Sequence, residues 1–341
     1  MVVLDRGVVG EAWTKRYDRL QLHTVRWLSS LPGYRIPREF GKWPTHDRVL
    51  EYLQRYAAYH RLEVRTGVEV RRVERGDAGW LVETADGELA AERVVVATGF
   101  SNVPFLPAWP GTFAGDVVHS ADYRNPARYV GRRVLVVGAG NSGAEIAADL
   151  AGGGAAEVLV AVRTPPSLVR RDTLGIPSQL FGIASSHLPV AVVDRVARTM
   201  RRVSFPDLTA QGLPAVEEPY SDFLRRRVIP TLDVGFADAV ESGTVRIVPA
   251  LDRFDDGRAV LADGRSPEVD SIVAATGFRT GLERLVGHLG VVDDRGEPFV
   301  HGADEHARAV RLNFVGFQLT LGGAMRVAGI QARQLADAVR P

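Results

Sequence analysis

The sequence predicts an α/β fold with parallel sheets in three layers, and three stretches carry that expectation. Residues 133–150 run from an apolar strand through Gly138-Ala-Gly140-Asn141-Ser142-Gly143 into a helix. Residues 93–99 and 270–277 are further apolar runs, each ending in Ala-Thr-Gly. Apolar runs with no polar alternation are what parallel strands show when helices cover both faces of their sheet.

The glycine stretch reads as GxGxxG in a strand–turn–helix setting. Gly138 permits the sharp turn, Gly140 removes the Cβ that would hold a pyrophosphate away, and Gly143 lets the helix pack closely on the strand. Unpaired N–H groups at the helix start favour an anion there without any lysine. A second apolar strand, residues 157–162, follows the helix, and Arg163 stands about 20 residues past the glycines, where an acidic residue grips the ribose of NAD. An arginine there suits the 2′-phosphate of NADP; a solvated charge at a strand end is the plainer alternative.

Composition sets the bounds. With 341 residues, 45% hydrophobic and 24% charged, the chain has room for two domains with sizeable cores. A net charge of +1 with no basic stripe offers nothing to nucleic acid. Cysteine is absent, which excludes disulfide scaffolds, thiolate metal sites and a CxxC redox pair. No run of apolar residues is long enough to span a membrane and the first residues lack the pattern of a signal peptide, so a cytoplasmic enzyme is expected.

Along the chain, residues 1–5 read as a strand ending in the carboxylate of Asp5, which is how the second strand of a dinucleotide-binding unit ends. The first strand, its glycine turn and its helix, about 30 residues, are expected upstream of Met1; the alternative is that Asp5 caps a turn in another fold. Residues 10–24 mix polar and aromatic residues without a period and read as a loop. A helix is expected over 47–60, with Val49, Leu50, Leu53, Tyr56 and Ala57 on one face, followed by strands over 62–68, 70–73 and 80–84. Residues 164–232 are rich in Pro, Gly and Arg. They include a helical piece over 189–202 whose mixed apolar and basic residues suit a helix covering a domain better than one lying on a membrane. Strands are expected again at 243–248, 254–261, 270–277 and 311–317, with a closing helix from Gly322 through Val339.

Phe113, Gly115, His119 and Tyr123 match every fixed position of FxGxxxHxxx[YF]. With Tyr17-Asp-Arg-Leu20, Leu22-His23, the glycine turn, Pro230-Thr-Leu-Asp-Val-Gly235 and Ala275-Thr-Gly-Phe278 in the same order, the chain resembles the flavin-containing monooxygenases, in particular the YUCCA-type enzymes. Tyr123 stands where Baeyer–Villiger relatives generally carry tryptophan. The resemblance implies two nested dinucleotide-binding domains: an FAD domain of residues 1–128 and 272–341, interrupted by an NADPH domain of residues 129–271. It also implies that Asp5, Trp13, His23, Val68, Thr98, Gly99, Thr276, Gly277 and Gly316 line cofactor sites with Gly138, Gly140, Asn141, Ser142, Gly143 and Arg163. The departure is the family's own FAD glycine motif, which is not found before Asp5.

In such enzymes NADPH reduces FAD and O₂ then supplies one oxygen atom to a small substrate, a 2-oxo acid, an amine or a thioether. The flavin carries the chemistry, so no catalytic side chain is nominated. His119 reads better as a tie between segments than as a general base. His301 and His306 lack a third ligand at a familiar spacing, and no metal is expected. Arg170, Arg171 and the run Arg225-Arg226-Arg227 suit surface charge more than a substrate carboxylate. Two other readings stay open: an NADPH-dependent flavin oxidoreductase without oxygen transfer, and a non-catalytic NADP-binding remnant.

Overall fold

The computed structural model describes all residues except 78, 174, 186–187, 215, 217, 220, 223–229, 319 and 341. The arginine run at 225–227 lies outside the described residues. The chain divides into two compact units: Met1–Lys15, Leu20–Pro104 and Phe278–Pro341 form the first, Arg16–Arg19 and Phe105–Gly277 the second.

Strand pairing builds the second unit. Its sheet is five-stranded and wholly parallel, in the order Arg246–Pro249, Glu157–Val162, Arg133–Val137, Ser271–Ala274, Asp116–His119. Ser271–Ala274 pairs with Arg133–Val137 on one side and Asp116–His119 on the other, so both segments belong to this sheet. Alternate residues supply its two faces. Leu135, Val137, Leu159, Ala161 and Ile272 join a core covered by Trp109, Phe113 and Phe254. Ile146 and Leu150 of the helix Asn141–Gly152 are fully buried, and that helix packs on Arg133–Val137 and Glu157–Val162. Each such side chain contributes roughly 1.5–3 kcal/mol by leaving water. The 254–261 stretch, read as one strand, is the hairpin Leu251–Asp255 and Arg258–Leu261.

In the first unit the parallel strands come as two pairs. Val3–Asp5 pairs with Val64–Thr66, and Val94–Val96 with Leu312–Phe314. Val3 is 38% exposed and Val95 45%, unlike the strands of the second unit, where flanking strands and helices bury Val134, Val136, Val158 and Val160. An antiparallel sheet of Val70–Gly76, Gly79–Thr84 and Gly87–Ala91 adds Val73 and Trp80 to a core shared with Val96, Leu312 and Phe314. The helix His46–Tyr59 buries Val49 and Tyr52 into a second cluster with Leu22, Ile36 and Phe40. The expected loop over 10–24 contains a helical turn, Glu11–Thr14, whose Trp13 packs on that cluster, because apolar burial overrides the missing period. Ala324–Ala338 is the closing helix.

Candidate nucleotide-binding site

The strand Arg133–Val137 and the helix Asn141–Gly152 position the glycine turn, and the three glycines divide the work in three measurable ways. Gly138 has φ 102°, a left-handed conformation that disfavours any side chain, and a Cβ there would stand 2.7 Å from the Ala275 carbonyl oxygen. At Gly143 a Cβ would meet the Gly138 carbonyl oxygen at 1.9 Å. At Gly140 it would meet nothing within 4 Å, so this position faces open space. Two glycines close the strand–helix joint, and the third leaves room for a ligand.

The helix begins there without a side-chain cap on its first N–H groups. A pyrophosphate fits such an end, since the N–H groups and the helix dipole both favour an anion. The Asn141 side chain bonds to the segment 230–232. Its Oδ1 accepts from the Leu232 N–H at 2.8 Å and its amide reaches the Pro230 carbonyl at 3.4 Å. Thr231 Oγ1 donates to the Ala139 carbonyl at 3.1 Å, so the strand Thr231–Asp233 is stitched to the turn by side chains on both segments. Asn141 holds the turn with its side chain and offers a ligand only its backbone. Ser142 follows it, half-buried.

Arg163 follows the strand Glu157–Val162 two residues after Ala161, whose carbonyl accepts from the Gly138 N–H at 3.0 Å. Its side chain is exposed, and no carboxylate pairs with it among the described residues.

On the other side of the switch in strand order, the 271–274 strand runs into Ala275-Thr276-Gly277. Thr276 Oγ1 donates to the Phe105 carbonyl, and the Gly277 carbonyl accepts from the Phe105 N–H at 3.0 Å. His119 Nδ1 accepts from the Ala121 N–H at 3.0 Å, which leaves Nε2 to donate to the same Gly277 carbonyl at 3.0 Å. Burial holds this imidazole below its ordinary pKa. Both ring nitrogens are therefore committed to backbone groups, and His119 is a tie. Phe113 tilts on Phe254 with ring centroids 5.6 Å apart, and a Cβ at Gly115 would strike the Asp270 carbonyl at 2.5 Å. Phe113, Gly115 and His119 thus serve packing and backbone hydrogen bonding within the second unit.

Two interactions were not foreseen from sequence. Tyr17 donates to Glu145 Oε2 at 2.8 Å and Tyr123 to Asp149 Oδ2 at 2.7 Å, both carboxylates lying on the glycine helix. The four-residue spacing of Glu145 and Asp149 on one helix face was the available signal.

The remaining expected residues lie in the first unit. Asp5 ends its strand, its Oδ1 accepting from the Gly7 N–H at 2.9 Å and its carbonyl from the Val68 N–H at 2.9 Å, so Asp5 and Val68 meet. Thr98 and Gly99 follow Val94–Val96, and Gly99 has φ 76° with open space where its Cβ would be. Gly316 follows Leu312–Phe314 and donates its N–H to Gln331 Oε1 at 3.0 Å. Trp13 sits in the aromatic cluster described above, and His23 in the bend before Arg26–Ser29. A strand-end carboxylate and an open glycine fit the ribose end of a dinucleotide; no GxGxxG turn occurs in this unit's sequence. Among the described residues no group of three or more His, Asp or Glu is arranged to hold a metal ion. His306 stacks on Phe299 instead, with centroids 5.8 Å apart.

The class these features define is an α/β protein with a dinucleotide-binding type of glycine turn on a parallel sheet. Residues 1–174 match the family model described as pyridine nucleotide-disulphide oxidoreductase. The chain is 31% identical over 314 residues to the probable indole-3-pyruvate monooxygenase YUCCA3 of Arabidopsis thaliana, covering 87% of this chain and 72% of that one. It is 34% identical over 292 residues to the indole-3-pyruvate monooxygenase YUCCA1 of Oryza sativa subsp. japonica, covering 82% and 71%. A flavin-containing monooxygenase from Stenotrophomonas maltophilia has the same fold, with TM-score 0.70 at 23% identity over 99% of this chain and 98% of that one. A cyclohexanone monooxygenase gives TM-score 0.74 at 19% identity, covering 99% and 82%. The chain belongs to the YUCCA-like flavin monooxygenase family, whose members are FAD- and NADPH-dependent oxidoreductases. These 341 residues contain no cysteine and so supply no redox-active cysteine pair.

Proposed function

We propose that the second unit holds NADPH, with its pyrophosphate over Gly140 and the N-terminus of Asn141–Gly152 and its 2′-phosphate on Arg163. The observation that carries this reading is the open space at Gly140 beside two glycines that admit no side chain. Arg163 adds an exposed guanidinium at the strand end where the adenosine ribose is read. The first unit takes FAD in this reading, with Asp5 on a ribose and Trp13, His23, Val68, Thr98, Gly99 and Gly316 around the rest. Thr276 and Gly277 supply the backbone of the second Ala-Thr-Gly end.

Bound FAD supplies the redox and oxygen chemistry; the protein's residues bind, orient and exclude water. The names of the relatives favour a 2-oxo acid over an amine or thioether as substrate. The two parallel pairs of the first unit, with Val3 and Val95 exposed, support a sheet completed by a further strand, glycine turn and helix not among these 341 residues.

The test is an oxygen balance. Protein supplied with FAD, NADPH and O₂ is given a 2-oxo acid, an amine or a thioether, and NADPH consumed, product and hydrogen peroxide are measured. Oxygenated product formed in step with NADPH from the 2-oxo acid supports the reading. Recovery of all oxygen as hydrogen peroxide with every substrate sinks it in favour of an oxidoreductase without oxygen transfer. Flavin retained in stoichiometric amount by the 341 residues alone would overturn the completed-sheet reading.

A further inference from the structure

The helix Val190–Ser204 buries Val193 and turns Val196, Ala197, Met200 and Ser204 inward, as a helix covering a unit does. At 100° per residue, Arg195, Arg198 and Arg202 fall together on the opposite side, and all three are exposed. None of them has a carboxylate within ion-pair distance among the described residues. The helix carries one acid, Asp194, and its carboxylate is engaged by the Ser221 N–H at 2.8 Å and the Ser221 hydroxyl at 2.9 Å. Beside the arginines the surface is apolar: Val192 is 44% exposed and Val203 80%, with Leu188 and Val190 at 44% and 59% at the start of the helix.

We propose that this face docks on a phospholipid membrane carrying anionic headgroups. Three unpaired guanidinium groups attract a negative surface, and the exposed valines and leucine flanking them gain from an apolar phase. A nucleic acid satisfies the arginines but leaves the apolar side chains in water. The lipid–water interface takes both. This is attachment to one leaflet: no helix among the described residues is long and apolar enough to cross a membrane.

The experiment is flotation of the purified full chain with phosphatidylcholine vesicles and with vesicles of phosphatidylcholine and phosphatidylglycerol. Binding is expected to the anionic vesicles only and to weaken as salt rises. The triple variant Arg195→Gln, Arg198→Gln, Arg202→Gln is expected to lower the partition coefficient on the order of a hundred-fold, at about five-fold per arginine. Val192→Ser with Val203→Ser is expected to lower it roughly ten-fold. Thermal midpoints equal to that of the unmodified chain show that the variants fold. The proposal is overturned by no flotation at low salt, by equal binding to neutral vesicles, or by binding that survives the arginine changes. It is overturned equally if the valine changes have no effect and an RNA homopolymer displaces the vesicles, since the face is then a site for any polyanion.

Discussion

The Tyr17 hydroxyl and the Glu145 carboxylate meet at 2.8 Å across 128 residues of sequence, and Tyr123 grips Asp149 one helical turn further along. The two tyrosine rings stand edge to face with centroids 6.2 Å apart. Burial, and then the Glu145 carboxylate, push the Tyr17 hydroxyl far above its ordinary range, so it remains a donor at any working pH. Segments 16–19 and 119–123 are thus latched to the glycine helix through Glu145 and Asp149.

Tyr17→Phe leaves a buried carboxylate short of one donor while preserving the ring packing. Such a loss costs about 1–3 kcal/mol. Urea unfolding of the second unit's transition measures it, and a change under a few tenths of a kcal/mol removes Tyr17 from the role assigned.

Gly140→Ala and Gly143→Ala are expected to act on different quantities. The first adds a methyl group to open space, so the melting temperature stays and NADPH affinity falls at least ten-fold. The second drives a Cβ to 1.9 Å from the Gly138 carbonyl oxygen and lowers the melting temperature before any ligand is added. Calorimetry on the free and NADPH-bound proteins separates the two.

Arg163→Ala removes a charge-assisted hydrogen bond to the 2′-phosphate, about 1.5–3 kcal/mol. NADPH binding is expected to weaken roughly ten- to hundred-fold, with NADH nearly unchanged. Equal losses for both cofactors, read by fluorescence titration, place the 2′-phosphate elsewhere.

His119 makes a pH-dependent contribution. Burial lowers the folded pKa below the ordinary value of 6.5, so the unfolded chain takes up the proton first. The stability contributed by the neutral ring is complete above about pH 6.5 and is lost as pH falls through the depressed folded value. Melting temperatures from pH 8 down to pH 5 should show this loss, and His119→Asn should flatten that part of the profile. An unchanged slope in the variant assigns the titration to another group.

Much of the candidate nucleotide site was legible in the sequence because its demands are local. A turn that excludes Cβ atoms needs glycine at fixed offsets, and a doubly covered parallel strand needs an unbroken apolar run. Gly138, Gly140, Gly143 and the strands at 133–137 and 157–162 follow from those two constraints alone. Arg163 was placed at its strand end by spacing. What the sequence could not decide was which distant segments pair. The strand Ser271–Ala274 belongs to the sheet of the glycine turn, and so does Asp116–His119, because backbone hydrogen bonds carry no residue signature. The side chain of Asn141 bonds to Leu232 and Pro230, and Tyr17, read as part of a loop, is buried against Glu145. These pairings join residues about 90 to 130 positions apart, and only the folded chain brings such groups within hydrogen-bonding distance.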